Sequence, residues 1–163
     1  MINKLCFLPV SYSFQAGQTT YLSLPAVFLE TTMKKFEDSG LLVARILISI
    51  LFIIAGYGKL GPAYAGTQEF MEVMKVPGIL LPLTILLELG GGLAILFGLL
   101  TRTTAVFTFI FCILTALLFH HDFADGMNQT MFLKNFAIGA GYLMLAMIGP
   151  GRFSIDGLLK KNW

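Results

Sequence analysis

The sequence predicts an all-α integral membrane protein, a bundle of four transmembrane helices with both termini on the cytoplasmic side. Two features carry that reading. Apolar residues make up 56% of the 163-residue chain and charged residues only 12%, with a mean hydropathy of +0.81. A soluble domain carries about 25% charged residues, so this chain has too little charge to cover a water-facing surface. The second feature is four successive apolar runs, 41–60, 79–100, 103–119 and 131–148. Each is close to the roughly 20 residues, within a usual range of about 17 to 25, that cross a hydrocarbon core. A length of 163 residues asks for one domain.

Residues 1–32 read differently from the rest. They carry only Lys4 and Glu30 as charges and mix Ser, Thr, Gln and aromatic residues, without the clean apolar run and small cleavage-site residues of a signal peptide. They are expected to be an N-terminal extension, disordered or not native. At Met33 the text changes to Met-Lys-Lys-Phe-Glu-Asp-Ser-Gly, a charged lead-in to a first span. Residues 33–163 are therefore taken as the membrane domain, with Met33 as the native start.

The links between spans carry turn chemistry. Gly61-Pro62 ends the first, Pro77-Gly78 precedes the second, and Gly149-Pro150-Gly151 closes the fourth. Only Thr101 and Arg102 separate spans two and three, which makes those helices an antiparallel hairpin. With four spans both termini share a side. That side collects Lys34, Lys35, Arg102, Arg152, Lys160 and Lys161, against Lys59, Lys75 and Lys134 on the other, and the basic excess marks the cytoplasm. Ser154 is placed to cap a short helix before Ile155, Leu158 and Leu159, and Trp163 beside Lys160 and Lys161 suits an interfacial tail.

Several chemistries drop out. The net charge of +2 comes from scattered Lys and Arg, so nucleic acid finds no basic stripe. The two cysteines, Cys6 and Cys112, form no CxxC pair, which argues against a disulfide framework or thiolate metal site; Cys112 is expected to be a small buried apolar side chain. No GxSxG or His-x-x-x-His pattern occurs, and Gly90, Gly91 and Gly92 lie inside a span. The only two histidines, His120 and His121, are adjacent and cannot grip one haem iron from opposite sides. No metal and no covalent cofactor are expected.

Polar side chains inside a span need a reason, since Arg, Lys or Asp at a helix centre costs about +2.5 to +3.5 kcal/mol on insertion scales. Glu88, in the middle of span two, must be protonated or paired. Arg45, about one turn into span one, is the expected partner, reaching across roughly 10 Å of depth at about 1.5 Å per residue. Arg45, Ser49, Phe52, Gly56 and Lys59 share one helical stripe, and Thr84, Glu88, Gly91 and Ile95 another, with glycines that let backbones approach. Such a clamp is either structural or functional. At the outer face gather Lys59, the string His120-His121-Asp122, and Lys134-Asn135. Polar residues at span ends are commonly just solvated, and that is the expectation for His121 and Lys134. Lys59, His120 and Asn135 sit deeper and could hold a quinone head or an anion.

Taken together, several strings resemble the DoxX family of small bacterial membrane proteins, and its short inner-membrane branch in particular. They are Val43-Ala44-Arg45-Ile46-Leu47, Phe52-Ile53-Ile54-Ala55-Gly56-Tyr57-Gly58-Lys59, Leu87-Glu88-Leu89-Gly90-Gly91-Gly92, Gly98-Leu99-Leu100-Thr101-Arg102, the His120 region, Lys134-Asn135, and Gly149-Pro150-Gly151-Arg152-Phe153-Ser154-Ile155-Asp156. The resemblance runs from about Met33 to the end. It implies a multi-pass protein of the bacterial inner membrane, in a family that takes its name from a subunit of a thiosulfate:quinone oxidoreductase and includes members linked to membrane redox complexes and oxidative stress. It also implies that Arg45, Lys59, Glu88, His120 and Asn135 are the family's recurrent polar positions. Fold transfers on such a likeness better than function does.

The expected function is a membrane component of a quinone-linked redox system. Glu88 and His120 would move protons, and Arg45, Lys59 and Asn135 would contact a quinone or anion. With no flavin motif, CxxC or haem pair, electrons would come from a partner protein or ride on the ligand, so an oxidoreductase role is non-autonomous. The alternative is a non-enzymatic small permease or an assembly subunit for a membrane complex, in which Arg45 and Glu88 are structural and the glycine faces at 90–92 and 139–141 serve helix contacts. Two measurements check the organisation: a peptide map of the native protein is expected to begin at Met33, and a C-terminal green-fluorescent fusion to glow where an alkaline phosphatase fusion stays inactive. Abundant peptides from before Met33, or an active phosphatase, would overturn the respective reading.

Overall fold

The structure is a computed structural model and describes residues 10–14, 18–22 and 24–159. Cys6, Trp163, Lys160 and Lys161 lie outside the described residues. The chain divides into two units, Met1–Ser39 and Gly40–Trp163. The first contains a two-stranded antiparallel hairpin of β1 (Val10–Phe14) and β2 (Gln18–Leu22), paired from Val10↔Leu22 to Phe14↔Gln18. The long helix α1 (Leu24–Gly58) begins in this unit and continues into the second.

Four helical segments are long and apolar enough to cross a membrane: Thr32–Gly58, Gly78–Phe97, Thr101–Phe119 and Gly126–Ile148. Only 17 to 22% of each one's most apolar window is buried inside the protein, and side chains such as Ile54, Leu86, Phe107 and Met144 point outward. An apolar surface of that extent needs a hydrocarbon solvent, and the second unit, helical throughout, is a multi-pass membrane bundle.

The second span is composite. A single 3-10 turn (Gly78–Leu80) leads into α3 (Leu81–Ile85), a π-helical turn covers Leu86–Gly90, and α4 runs over Gly91–Phe97. The third span is α5 (Thr101–Phe119) and the fourth α6 (Gly126–Ile148). The turn between the second and third is Gly98-Leu99-Leu100 and not the expected Thr101-Arg102. Gly98 and Leu100 both take positive φ, +67° and +49°, which reverses the chain in three residues, so Thr101 and Arg102 already belong to the first turn of α5.

The segment between the first and second spans folds as a helix of its own, α2 (Ala63–Val73). Its Met71 is buried with Val76 and Leu81, and Tyr64, Ile85 and Phe119 pack against them. Gly78 permits this. A Cβ there would fall 2.4 Å from Gln68 Cγ and 2.9 Å from Glu72 Oε1, so the start of the second span presses directly on α2. The main core lies between the long helices, where Phe52, Ile95, Ala105, Cys112, Tyr142 and Leu145 are buried together. Cys112 is 1% exposed, the small core side chain expected of it.

The end opposite α2 is closed by hydrogen bonds. Asp156, in α7 (Ile155–Leu158), accepts from Leu100 N at 3.0 Å and from Thr101 N and Oγ1 at 2.8 Å each. It thereby caps the start of α5, whose first N–H groups have no partner within the helix. Ser154 caps α7 by accepting from Gly157 N, as the sequence indicated. Arg102 donates to the carbonyls of Ala146, Met147 and Ile148 at 2.7, 2.7 and 3.1 Å, closing the C-terminus of α6 with a cation. Replacing Asp156 by Ala strips three donors of their acceptor in a buried place, and the stability loss is expected to reach at least about 3 kcal/mol. Thermal unfolding in detergent reads it, and an unchanged midpoint would show that the cap is dispensable.

Candidate active site

The site rests on how closely α1 approaches the second span. A Cβ on Gly56 would lie 2.6 Å from Leu89 N, and one on Gly92 would lie 3.0 Å from Ile53 Cγ1 and 3.3 Å from Phe52 Cβ. Gly56 leaves no room for a Cβ against the backbone of Leu89, and Gly92 makes a tight crossing at which Ile53 would have to give way. The two contacts fix an antiparallel register in which Glu88 stands about level with Tyr57, and Arg45 stands level with Gly98, against which its Nη1 packs.

That register assigns Glu88 a different partner from the one the sequence suggested. Lys59 Nζ lies 2.6 Å from Glu88 Oε2 and also donates to Ala55 O at 3.2 Å. Arg45 is about twelve residues away in level, roughly 18 Å at about 1.5 Å per residue, too far to bridge. The expected Arg45–Glu88 clamp is therefore replaced by a Lys59–Glu88 ion pair. Arg45 is 1% exposed at the α7 end, where it donates to the carbonyl of Phe153 and faces the charge of Asp156. Its Nε and Nη1 have no hydrogen-bond partner among the described residues.

Three independent elements bring the candidate residues together. Glu88 is held in the π-helical turn, a geometry that adds a residue to the helix, reorients the side chains around it and often marks functional positions. Lys59 follows the last turn of α1, and His120 ends α5 with φ −130°. Lys59, Glu88 and His120 line one cavity with Thr67, Phe70 and Met71 from α2, Thr84 from α3, and Phe111, Thr115 and Phe119 from α5. The cavity holds about 150 Å³, the size at which an apolar space admits one benzene ring. Its apolar wall is built from Phe70, Met71, Phe111 and Phe119, with Phe70 and Phe119 stacked at 5.8 Å. The Glu88 side chain is 10% exposed and that of Lys59 25%, so the pair forms part of the wall and is shielded from bulk solvent.

The remaining candidates fall outside this cavity. Asn135 is half-buried on α6 and donates to Met131 O at 3.0 Å. His121 and Lys134 are exposed, and Lys134 reaches only Met131 Sδ. His120 Nδ1 lies 3.4 Å from Asn128 Oδ1, a neighbour the sequence did not single out. Sequence reasoning also missed the contribution of α2. Its signal was available in the spacing of Tyr64, Thr67, Phe70, Met71 and Met74, which recurs every three or four residues. No group of three or more His, Cys, Asp or Glu able to hold a metal occurs among the described residues.

Comparison with known proteins places the chain in a family. A family model described as DoxX matches residues 40–121. The inner membrane protein YqjF of Escherichia coli (strain K12) is 65% identical over 131 residues, which is 80% of this chain and 100% of the relative. The inner membrane protein YphA of the same organism is 33% identical over 123 residues, 71% of this chain and 87% of the relative. No solved structure matches.

The ion pair can be tested as a pair. Lys59→Met and Glu88→Met each leave one shielded charge unmatched, while the double variant leaves none, so the double is expected to lose less stability than the two singles together. With Lys59 a quarter exposed, the coupling should be about 1 to 3 kcal/mol, below that of a fully buried pair. Unfolding midpoints of the four proteins in detergent measure it; additive losses would rule the coupling out.

Proposed function

The chain belongs to the DoxX family, and from that premise we propose that it is an inner-membrane component of a quinone-linked redox system whose ring-binding site is the cavity of Lys59, Glu88 and His120. Inner-membrane residence agrees with the names of both relatives and with four apolar spans. The observation that carries the proposal is chemical: a shielded ion pair and an imidazole on the wall of an aromatic cavity of about 150 Å³. An apolar pocket with a few convergent polar groups is what a single-ring ligand requires. A bound quinone supplies the electron chemistry that no side chain here provides.

The residues of the chain then have separable tasks. Phe70, Phe111 and Phe119 exclude water and hold the ring plane. Lys59 has three N–H groups, two of them engaged by Ala55 O and Glu88, and presents the third to a ring oxygen. Glu88 and His120 are the proton-carrying groups, both within the same cavity and both able to hold or release a proton near the ligand's oxygens. Arg45 and Asn135, outside the cavity, are assigned to the packing of the bundle. With the cytoplasm on the α7 side, as the basic residues indicate, the cavity opens toward the periplasmic half of the membrane, and a partner protein delivering or accepting electrons would dock there or reach the ligand through the membrane pool.

The test is to extract the protein in mild detergent and identify co-purifying small molecules by mass spectrometry, with a membrane protein of similar size as control. A quinone at near-stoichiometric amount is expected, falling at least about tenfold in Glu88→Gln and His120→Ala, the loss of about one charged hydrogen bond. If no quinone is enriched and both variants behave as wild type, the redox assignment fails and an assembly or transport role takes its place.

A further inference from the structure

The hydrogen-bonding groups of the cavity are lopsided, and the imbalance follows from backbone geometry. Thr67 Oγ1 donates to Ala63 O at 2.8 Å, Thr115 Oγ1 to Phe111 O at 2.8 Å, and Thr84 Oγ1 to Leu80 O at 3.3 Å. In each case the partner is a backbone carbonyl, which can only accept, so in this arrangement the hydroxyl directs its single proton at the helix. The oxygen of each of these cavity-lining Thr residues keeps its lone pairs for a ligand. A carboxylate is acceptor-only with about four lone-pair sites, and Glu88 uses one of them for Lys59. His120, with Nδ1 at 3.4 Å from Asn128 Oδ1, adds a ring that donates or accepts according to its tautomer. Against the Thr and Glu88 acceptors on four elements stands one fixed donor, the third N–H of Lys59.

From this inventory we infer that the cavity selects a hydroxyl-bearing aromatic ring, so that within the quinone pair it binds the hydroquinone in preference to the quinone. A quinone carbonyl accepts and never donates, and can satisfy Lys59 alone. It leaves the Thr and Glu88 acceptors facing a ring that offers them nothing. A hydroquinone brings two O–H donors that also accept, so one hydroxyl can pair with Lys59 and Glu88 together while the other reaches the Thr oxygens. A shielded polar group left short of partners costs more than a formed bond gains, which weighs most on Glu88, whose side chain is 10% exposed, and sites built to hydrogen-bond a hydroxyl reject analogues that lack it. The inference deepens the quinone assignment and specifies the reduced partner as the ligand that resides in the site.

Binding of two probe pairs to the wild-type protein in lipid nanodiscs, by titration calorimetry with empty nanodiscs subtracted, tests it without relying on any variant. Para-pentylphenol is expected to bind at least about tenfold more tightly than para-pentylanisole, which differs by a methyl on the oxygen, and duroquinol more tightly than duroquinone under anaerobic conditions. Thr84→Val and Thr115→Val should narrow each gap by a few-fold, because the methyl that replaces the hydroxyl keeps the side-chain shape. Equal affinities within the pairs, or tighter binding of duroquinone, would overturn the inference. If the phenol outbinds the anisole while neither duro compound binds, the preference for a hydroxyl stands and the quinone assignment falls. If none of the four probes binds, both fall.

Discussion

The contact on which the rest depends is the backbone approach of α1 to the second span at Gly56 and Gly92. At Gly56 a Cβ would lie 2.6 Å from the backbone of Leu89, which excludes one, and at Gly92 it would press on Ile53 Cγ1 at 3.0 Å. In a bilayer, where the hydrophobic effect does not drive helices together, such close packing and the polar bonds it brings into reach supply the association. Sliding α1 by one turn, about 5.4 Å, would drive side chains of α1 into the backbone at Leu89. The register is therefore single-valued. It puts Lys59 beside Glu88 and Arg45 beside the C-terminal turn, and both charged assemblies of the bundle follow from it.

The two ends of the bundle spend their polar groups differently. At the α7 end the carboxylate of Asp156 is saturated by three donors, the guanidinium of Arg102 covers three carbonyls, and Gly98 is sealed under Arg45 and Ser154. These bonds stand in for the water that capping groups would otherwise find, since unsatisfied backbone is costly near the hydrocarbon. At the α2 end the polar groups line a space instead of filling it. Lys59 keeps a donor, Glu88 keeps lone pairs, and three cavity-lining Thr hydroxyls bond back to their own helices. An end whose helix termini are capped and an end whose polar groups line a cavity are what separates scaffold from site in so small a protein.

Much of the architecture was legible in the sequence. Span lengths follow from the thickness of the hydrocarbon core, so four apolar runs became four helices, most boundaries shifting by five residues or fewer and the start of the first by nine, from 41 to Thr32. Ser154 as a cap and Cys112 as a core side chain were also readable, since both depend on local chemistry. Glu88 and Lys59 stood out because a charge in lipid needs a partner. Their pairing did not stand out, because it depends on inter-helix register, and register is set by glycine crossings whose positions on the two helices no single-helix pattern reveals. Span ends counted from hydropathy placed Arg45 nearer Glu88 than it is. The role of α2 was missed for a related reason: a short helix whose apolar side rests on neighbouring spans has too little length and hydropathy to separate it from a polar link.

The π-helical turn connects these observations. A regular α-helix through Leu86–Gly90 would satisfy its backbone more simply, and the extra residue costs hydrogen-bond geometry. It is accommodated just ahead of Gly92, where the small residue lets α1 pack close, with Ile53 Cγ1 only 3.0 Å from where a Cβ would stand. Thr84 ahead of the turn and Glu88 within it line the cavity; beyond it, Ile95 is buried in the apolar core. The rotation introduced by one inserted residue allows a single span to present polar groups to a ligand in one half and a sealed apolar face in the other. Removing that residue would be expected to save local strain and lose the alignment of Glu88 with Lys59, which makes the irregularity a part of the site and not a flaw in the helix.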